Sequence, residues 1–249
     1  MLKDVKKQKR YILTNSIFKK KLSVIIPCYN ENSTITKIVE KVIRTNLNLE
    51  IIIVDDNSTD GSREKIKSFR NKLIKKKIFH NRNIGKGACI KSAKKYLSGE
   101  FTIIQDADLE YDPKDYKKLL KAFTINKTQV VYGSRVLNKN RYLYNKTLTT
   151  NFRIFANHIL TIMSNVLNGQ SLTDAHTCYK VFKTSLLKKI NPKENDFAFC
   201  PEVTTKISKL NLKIKEVSIS YKGRGYDEGK KIGIYDALRV LIVIFKYKF

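Results

Sequence analysis

An apolar run at residues 101–105 ends at two aspartates, Asp106 and Asp108, within the segment FTIIQDADLEYDP. A short apolar run followed by polar residues is typical of a buried strand that delivers its next side chains to the edge of a sheet. In a strand Asp106 and Asp108 would share a face, so both carboxylates can reach one ion. Hard divalent cations prefer such oxygen ligands, and Glu110 is a third candidate ligand. An ordinary turn before Pro113 is the alternative interpretation.

Further apolar runs alternate along the chain with segments of helical periodicity. The predicted strands are residues 22–27, 50–54, 78–79, 101–105 and 129–132, with a helical pattern between each consecutive pair. Apolar residues recur at helical spacing from Ile35 to Ile43, for example. Fully apolar strands that alternate with helices indicate a mostly parallel sheet covered by helices on both faces. The sequence therefore predicts an α/β fold.

Polar clusters follow three of the predicted strands. They are residues 29–31 (YNE), the pair Asp55 and Asp56, and the pair Asp106 and Asp108. Open parallel sheets bind their ligands beyond the carboxyl ends of the strands. Three clusters at equivalent positions indicate one ligand site at that edge of the sheet.

The charge of the chain favours anionic partners. Its 249 residues include 50 Lys or Arg against 22 Asp or Glu, a formal net charge of +28. Nucleotides and phospholipid surfaces suit this balance, although a solvated lysine-rich surface is the plainer interpretation for most of these residues. A basic nucleic-acid-binding module is a non-enzymatic alternative. We expect no nucleic-acid partner, because aromatic and basic residues are not concentrated in a recognition motif.

The chain is interpreted as one large domain at residues 21–235, with a basic N-terminal extension at 1–20 and an amphipathic C-terminal segment at 236–249. Its apolar stretches are much shorter than the roughly 20 residues of a spanning helix. Residues 1–21 lack the apolar centre of a signal peptide. The four cysteines are far apart and form no C-x-x-C pair, which favours a reducing compartment such as the cytoplasm.

Six segments resemble, in this order, the family 2 glycosyltransferases with a GT-A fold: KLSVIIPCYNENSTI, EIIIVDDNSTDGS, NIGKGACI, FTIIQDADLEYDP, VVYGSRV and SLTDAHTCYKVF. The resemblance is greatest to the dolichyl- or polyprenyl-phosphate sugar transferases. It implies a Rossmann-like GT-A domain and an inverting enzyme that moves a sugar from a UDP- or GDP-linked donor to a polyprenyl or dolichyl phosphate. The chain has no Trp and so lacks the Gln-x-x-Arg-Trp motif of processive polysaccharide synthases, which agrees with transfer of a single sugar.

The resemblance also assigns residues to the nucleotide-sugar donor. The segment after the first strand corresponds to a nucleotide-contacting loop, through Pro27, Tyr29, Asn30 and Glu31. Asp55 and Asp56 correspond to acids that hold the base and ribose, for which carboxylates are suitable acceptors. At Gly85 and Lys86, small residues let backbone N–H groups approach phosphate and a lysine supplies counter-charge. A turn with a helix cap, and an ordinary glycine loop, are the respective alternatives.

A metal and diphosphate site is implied at Asp106, Asp108 and Glu110, with Mg²⁺ or Mn²⁺ as the ion. Several relatives have Gln at the third position, so Glu110 adds negative charge to this site. An acceptor-phosphate loop is implied at Arg135, whose guanidinium can bind phosphate in a bidentate way. Arg153 is a second candidate for that contact, with an ordinary surface role as the alternative.

A basic loop near the C-terminus carries Lys230 and Lys231, which the resemblance places over the donor and acceptor phosphates. A lipid phosphate is already anionic, so its oxygen can attack without a strong general base, and the enzyme positions the reactants and neutralises the leaving diphosphate. An acceptor hydroxyl would instead need a carboxylate base, for which Asp174 and Glu202 are the candidates. A structural role is the alternative for Glu202.

Apolar residues at helical spacing from Phe152 to Leu167 form either an interfacial helix on anionic lipid or a core helix on the sheet. We expect the chain to lie peripherally on the cytoplasmic face of a membrane. An anionic lipid surface or a membrane-protein partner would hold it there.

Overall fold

A computed structural model describes residues 14–125, 127–138, 148–223 and 234–249 of the chain, without the side chains of 148–153 and 234–237. Seven strands in these residues form one sheet in the order β3-β2-β1-β4-β6-β5-β7. The strands are β1 Leu22–Cys28, β2 Leu49–Asp55, β3 Ile74–Phe79, β4 Phe101–Ile104, β5 Val130–Ser134, β6 Lys180–Lys183 and β7 Lys215–Ser218.

The sheet is mostly parallel. β1 pairs in parallel with β2 and β4, β2 with β3, and β5 with β7. β6 is antiparallel to both of its neighbours, β4 and β5. The mixed α/β architecture confirms the predicted fold class, while β6 and β7 lie beyond the last strand that the hydrophobic pattern predicted.

Helices accompany the sheet, and residues 14–19 before it are also helical. The α-helices that accompany the sheet are α1 Ile35–Ile43, α2 Ser62–Ser68, α3 Lys86–Ala93, α4 Tyr116–Lys121, α5 Leu148–Asn168, α6 Thr184–Ile190, α7 Phe199–Lys209 and α8 Ile234–Lys248. α8 packs against α7 and α5. None of the described helices is long and apolar enough to cross a membrane.

Burial explains the apolar strand pattern. All seven residues of β2 are buried, as expected for a central strand covered on each side. β3, at the end of the sheet, is only partly buried and carries exposed Lys75 and Lys76. Lysines on an edge strand discourage pairing with another chain. The core runs along β1, β2, β4, β5 and β6, next to the strand ends that carry the predicted site.

Candidate active site

One edge of the sheet collects the predicted polar clusters. The carboxyl ends of β1, β2, β4 and β5 share this edge because these strands run in the same direction. β6 runs the opposite way, so the segment before it, residues 174–178, reaches the same edge. The topology thus brings a segment late in the chain to the clusters that follow the early strands.

The loop after β1 is tied to the start of α2. The Asn30 amide donates to Ser58 Oγ at 3.0 Å, and the Asn30 side-chain oxygen accepts from the Thr59 amide at 2.8 Å. The Glu31 amide donates to Ser62 Oγ at 2.8 Å. Tyr29 projects into solvent with 48% of its surface exposed, an unusual position for a large aromatic residue. An exposed ring on a braced loop can stack on a planar ligand.

Pro27, predicted to belong to the same loop, lies within β1 beside Val54 of β2. Its position is therefore one residue inside the sheet, and its ring is only partly buried. Pro27 shapes the strand end from which Tyr29 and Asn30 extend.

Asp55 is fully buried at the end of β2. Its Oδ2 accepts from Arg63 Nε at 2.6 Å, and its Oδ1 accepts from the Ser58 amide at 3.3 Å. The guanidinium of Arg63 also bonds the His80 carbonyl. Asp55 therefore fixes the loop around Ser58 through an internal ion pair with Arg63.

Asp56 organises the loop that precedes α3. Its carboxylate accepts from the Gly85 amide at 2.7 Å, from the Ile84 amide at 3.1 Å and pairs with His80 Nδ1 at 2.6 Å. His80 Nε2 bonds Ser92 Oγ at 2.8 Å. Asp56, His80 and Cys89 lie close enough to hold a metal ion. We assign this cluster a structural role, because hydrogen bonds already engage the Asp56 carboxylate and both ring nitrogens of His80.

Lys86, the first residue of α3, contacts the β4 end. Its ammonium forms a short ion pair with Asp106 Oδ1 and lies 3.2 Å from Cys178 Sγ. Burial, the largest single influence, disfavours the charged form of each partner. The opposite charge, the hydrogen bond between the partners and smaller contributions from neighbours such as Cys178 together outweigh it, so the pKa of Lys86 is raised and the pKa of Asp106 is lowered. A cation already lies at the predicted metal and diphosphate position.

The segment 193–196 packs directly on the glycines that flank Lys86. A Cβ at Gly87 would lie 2.3 Å from the Glu194 carbonyl oxygen, and one at Gly85 would lie 2.6 Å from the Asn195 carbonyl oxygen. The Asn195 carbonyl also accepts from the Ala88 amide at 2.8 Å. Glycine is therefore required here by the close approach of two backbones.

Side chains of α7 and α8 hold the 193–196 segment from two directions. Buried Glu202 accepts from the Lys193 amide at 2.6 Å, the Glu194 amide at 2.7 Å and Lys206 Nζ at 2.6 Å. From α8, Lys246 Nζ and the Tyr247 hydroxyl bind Glu194 Oε1 at 2.8 and 2.9 Å. Another α8 residue, Arg239, pairs with Asp196 at 2.9 Å.

The acids after β4 lie in a turn. Leu109 has φ of 63°, and the Glu110 amide donates to Asp108 Oδ1 at 3.0 Å. Glu110 is buried, and its Oε2 accepts from the Tyr221 hydroxyl at 2.9 Å. Half-buried Asp106 and Asp108 offer hard oxygen ligands, and the ammonium beside Asp106 shows that this position attracts a cation. Asp106 and Asp108 therefore fit Mg²⁺ or Mn²⁺. Glu110, predicted as a third ligand, is bound to Tyr221 instead and, among the described residues, forms no three-residue cluster with the two aspartates.

Arg135, directly after β5, is paired with Asp174. Nε donates to Oδ2 at 2.7 Å, Nη2 to Oδ1 at 2.8 Å, and the Arg135 amide to Oδ2 at 3.1 Å. The guanidinium lies 5.2 Å from the centre of the Tyr221 ring. Burial would raise the pKa of Asp174, but Arg135 outweighs it and lowers that pKa to about 2.

Both candidate general bases therefore have other roles in the structure. Asp174 is a weak base because its charge is stabilised by Arg135. Glu202 is fully buried and receives three N–H donors, which corrects its placement among the catalytic candidates. Lys230 and Lys231 lie outside the described residues. Arg153 lies in the first six residues of α5, whose side chains the structure does not describe.

Some site residues had no local signal in the sequence. Arg63 and His80 reach Asp55 and Asp56 from elsewhere in the chain, and Cys178 meets Lys86 across 92 residues. Fully buried Lys180 bonds the carbonyls of Ala175 and Thr177 and so orders the Asp174 segment. A lysine inside an apolar strand, as in YKVF, is the signal that could have indicated such a role.

Known proteins resemble this chain in sequence. Residues 23–191 match the sequence profile of Glycosyl transferase family 2. A dolichyl-phosphate beta-glucosyltransferase of Trichomonas vaginalis is 25% identical over 244 residues, covering 90% of this chain and 72% of that protein. An undecaprenyl-phosphate 4-deoxy-4-formamido-L-arabinose transferase of Photorhabdus laumondii is 26% identical over 219 residues, covering 85% of this chain but only 63% of that protein.

The fold also matches a solved structure. Glucosyl-3-phosphoglycerate synthase from Mycobacterium tuberculosis, in complex with Mn²⁺, uridine diphosphate and glucosyl-3-phosphoglycerate, superposes with a TM-score of 0.69 at 15% identity. The superposition covers 96% of this chain and 83% of that one. At this identity the likeness supports a shared fold.

Proposed function

This chain belongs to glycosyl transferase family 2, and from that membership we propose that it transfers one sugar from a UDP- or GDP-sugar to a polyprenyl or dolichyl phosphate, with inversion at the anomeric carbon. Both relatives described above carry a lipid phosphate, dolichyl or undecaprenyl, in their names. Glycosyl transfer also replaces the nucleic-acid-binding alternative raised by the charge of the chain.

One observation carries the choice of a phosphate acceptor. Asp174 and Glu202, the candidate bases for a hydroxyl acceptor, are engaged by Arg135 and by the 193–194 amides and Lys206. A phosphate oxygen is already anionic and needs no proton removed before it attacks. The arrangement therefore suits an acceptor that brings its own negative charge.

The reaction is a single displacement. The lipid phosphate oxygen forms a bond to the anomeric carbon while the bond from that carbon to the nucleoside diphosphate breaks, and the bonding electrons leave with the diphosphate. Lys86 and the α3 start would hold the diphosphate. Arg135 would face the acceptor phosphate, since its bidentate pair with Asp174 uses only part of its five N–H donors.

The donor nucleoside would bind between the β1 and β2 ends. Tyr29 and Asn30 would contact the base from their braced loop, and Asp55 and Asp56 would shape the floor of that site. Mg²⁺ or Mn²⁺, held by Asp106 and Asp108, would neutralise the leaving diphosphate. Glu110 would stabilise this turn through Tyr221 and extend the negative field.

The acceptor places the enzyme at a membrane. We propose a peripheral position on the cytoplasmic face, where nucleotide-sugars and the phosphate end of the lipid would meet. The formal charge of +28 favours an anionic lipid surface there, with or without a membrane-protein partner.

The test is product formation by the purified protein. Polyprenyl phosphate in detergent, Mn²⁺ or Mg²⁺, and a panel of labelled UDP- and GDP-sugars would be incubated with the wild type and with Asp108→Asn. We expect label in an organic-extractable product that depends on metal and on Asp108. Absence of nucleotide binding would overturn the proposal. Transfer of the labelled sugar to a glycan hydroxyl would show that the acceptor is a glycan and not a lipid phosphate.

A further inference from the structure

Helix α5 exposes large apolar side chains and buries small polar ones, the reverse of the usual pattern of a surface helix. Its exposed side carries Phe155, Ile159, Ile162 and Val166, each between 40% and 77% exposed. These residues follow the i, i+4, i+7, i+11 spacing of a single helical stripe. The buried side instead carries small polar residues: Thr161, Ser164 and Asn168 are 3% exposed or less. A soluble helix normally buries its large apolar residues, so this stripe needs a covering surface.

Helix α8 presents a second stripe with the same spacing. Leu238, Ile242 and Phe245 of α8, and Phe249 directly after its last residue, are between 48% and 88% exposed. The opposite side of α8 packs inward through Val243 and Ile244, both buried. We call these eight exposed residues the apolar surface. Each stripe spans 12 residues, and the 11 steps between its first and last residue cover about 16 Å at the rise of an α-helix.

The inner sides of these two helices hold the loops of the candidate active site. On α5, Asn165 exchanges two hydrogen bonds with the backbone of Leu172, and Thr161 Oγ1 accepts from the Ala175 amide at 3.4 Å. Those bonds bracket the Asp174 segment. On α8, Lys246 binds Glu194 in the segment that packs on Gly87. The apolar surface therefore lies behind the two loops proposed to bind phosphate, one with Arg135 and Asp174 and the other with Lys86. We call them the two phosphate loops.

We propose that the apolar surface lies on an anionic lipid bilayer and holds the two phosphate loops beside the headgroups. The inference rests on the proposed function, because a polyprenyl phosphate keeps its tail in the bilayer while its phosphate enters the site. No described helix can span a membrane, so the two stripes would lie in the plane of the interface.

Charge favours lipid over a second copy of this chain. Residues 154–168 contain no Lys, Arg, Asp or Glu, so the α5 stripe offers no charge pattern that would select a protein partner. Arg239 and Lys246 lie on α8 at the margin of its stripe, where they pair with Asp196 and Glu194 but keep more than half of their side chains exposed. A net charge of +28 repels another copy and attracts anionic headgroups.

The test is flotation with vesicles of phosphatidylcholine, alone or mixed in equal parts with phosphatidylglycerol, without donor or acceptor. The variants are Ile242→Ser with Phe245→Ser on α8, and Ile159→Ser with Val166→Ser on α5. Ile125→Ser with Leu210→Ser is the matched control, because both are exposed apolar residues outside the apolar surface. Circular dichroism and sedimentation would monitor fold and oligomeric state.

We expect the wild type and the control to bind the phosphatidylglycerol vesicles, and each stripe variant to bind at least about tenfold more weakly. Equal binding by wild type and stripe variants would overturn the inference. If the wild type is a dimer that binds no vesicles, and the stripe variants are monomers, the apolar surface would be assigned to a second copy of the chain instead. If vesicle binding depends on the stripes but no sugar is transferred in the detergent assay, the lipid-binding surface would stand and the proposed function would be rejected.

Discussion

Arg135 and Asp174 form a bidentate ion pair, with Nε to Oδ2 at 2.7 Å and Nη2 to Oδ1 at 2.8 Å. The pair joins the end of β5 to the segment before β6, across the edge of the sheet where the strand ends meet. Glu216 of β7 supports it by accepting from the Thr173 and Asp174 amides at 2.7 and 3.0 Å. The proposed acceptor side of the site is therefore built on a fixed ionic contact.

The ion pair predicts a pH-dependent contribution to stability. The pKa of Asp174 is about 2 in the folded protein, against about 3.9 when unfolded, so folding favours its ionised form. Asp174→Asn should lower the free energy of unfolding by about 2 kcal/mol at pH 7. This difference should persist down to about pH 4 and disappear as pH falls through 2.

Urea unfolding of wild type and Asp174→Asn across this pH range measures the effect. Glu40→Gln is the control, because Glu40 forms an exposed helical pair with Arg44 at 3.4 Å and should change stability little. A wild-type to Asp174→Asn difference that does not vary with pH would contradict the assigned pairing.

Lys86 should have opposite effects on metal and nucleotide binding. Lys86→Met removes the ammonium that occupies Asp106, so Mn²⁺ measured without nucleotide should bind more tightly. The same variant should bind the nucleoside diphosphate at least about tenfold more weakly, because a phosphate contact is lost. Titration calorimetry with each ligand alone measures both changes.

Lys91→Met is the matched control for Lys86. Lys91 lies in the same helix, but its ammonium binds the Lys193 carbonyl at 2.7 Å and not Asp106. It should leave the affinity for Mn²⁺ unchanged. Weaker Mn²⁺ binding by Lys86→Met would show that Lys86 does not compete for Asp106.

Gly87→Ala should weaken donor binding. The added Cβ would lie 2.3 Å from the Glu194 carbonyl oxygen, so α3 and the 193–196 segment must separate and displace Lys86. Gly169→Ala is the control: its Cβ would enter open space, and a φ of +59° makes the cost a local strain of about 1–2 kcal/mol. Equal donor affinity in the two variants, measured by calorimetry, would show that the close contact does not position the loop.

Glu202→Gln distinguishes a structural role from general-base catalysis. The variant keeps the size of the side chain but loses charge and an acceptor oxygen, so we expect a loss of about 1–3 kcal/mol in the free energy of unfolding. The kcat should fall by less than about tenfold, and the pH dependence of kcat should keep its shape. A fall of about 10²–10⁴ with normal stability would restore Glu202 as a base.

The sequence by itself determined the fold class and the sheet edge at which the candidate residues meet. Buried strands need apolar residues along their whole length, and helices need apolar residues at their own spacing, so both appear as local patterns. Residues 29–31, Asp55 and Asp106 could be placed at one sheet edge because parallel strands that alternate with helices end on the same side. Motif order then indicated the family that the sequence profile confirms.

Only the tertiary structure decided which side chains meet. Lys86 and Cys178 are 92 residues apart, and Arg135 and Asp174 are 39 apart. Their contacts depend on β6 entering the sheet between β4 and β5 in the opposite direction, which no local pattern encodes. Glu202 was predicted as a candidate base because the sequence does not reveal its burial or its partners. A carboxylate acts as a base or as an anchor according to its burial and partners, and both are set by distant parts of the chain.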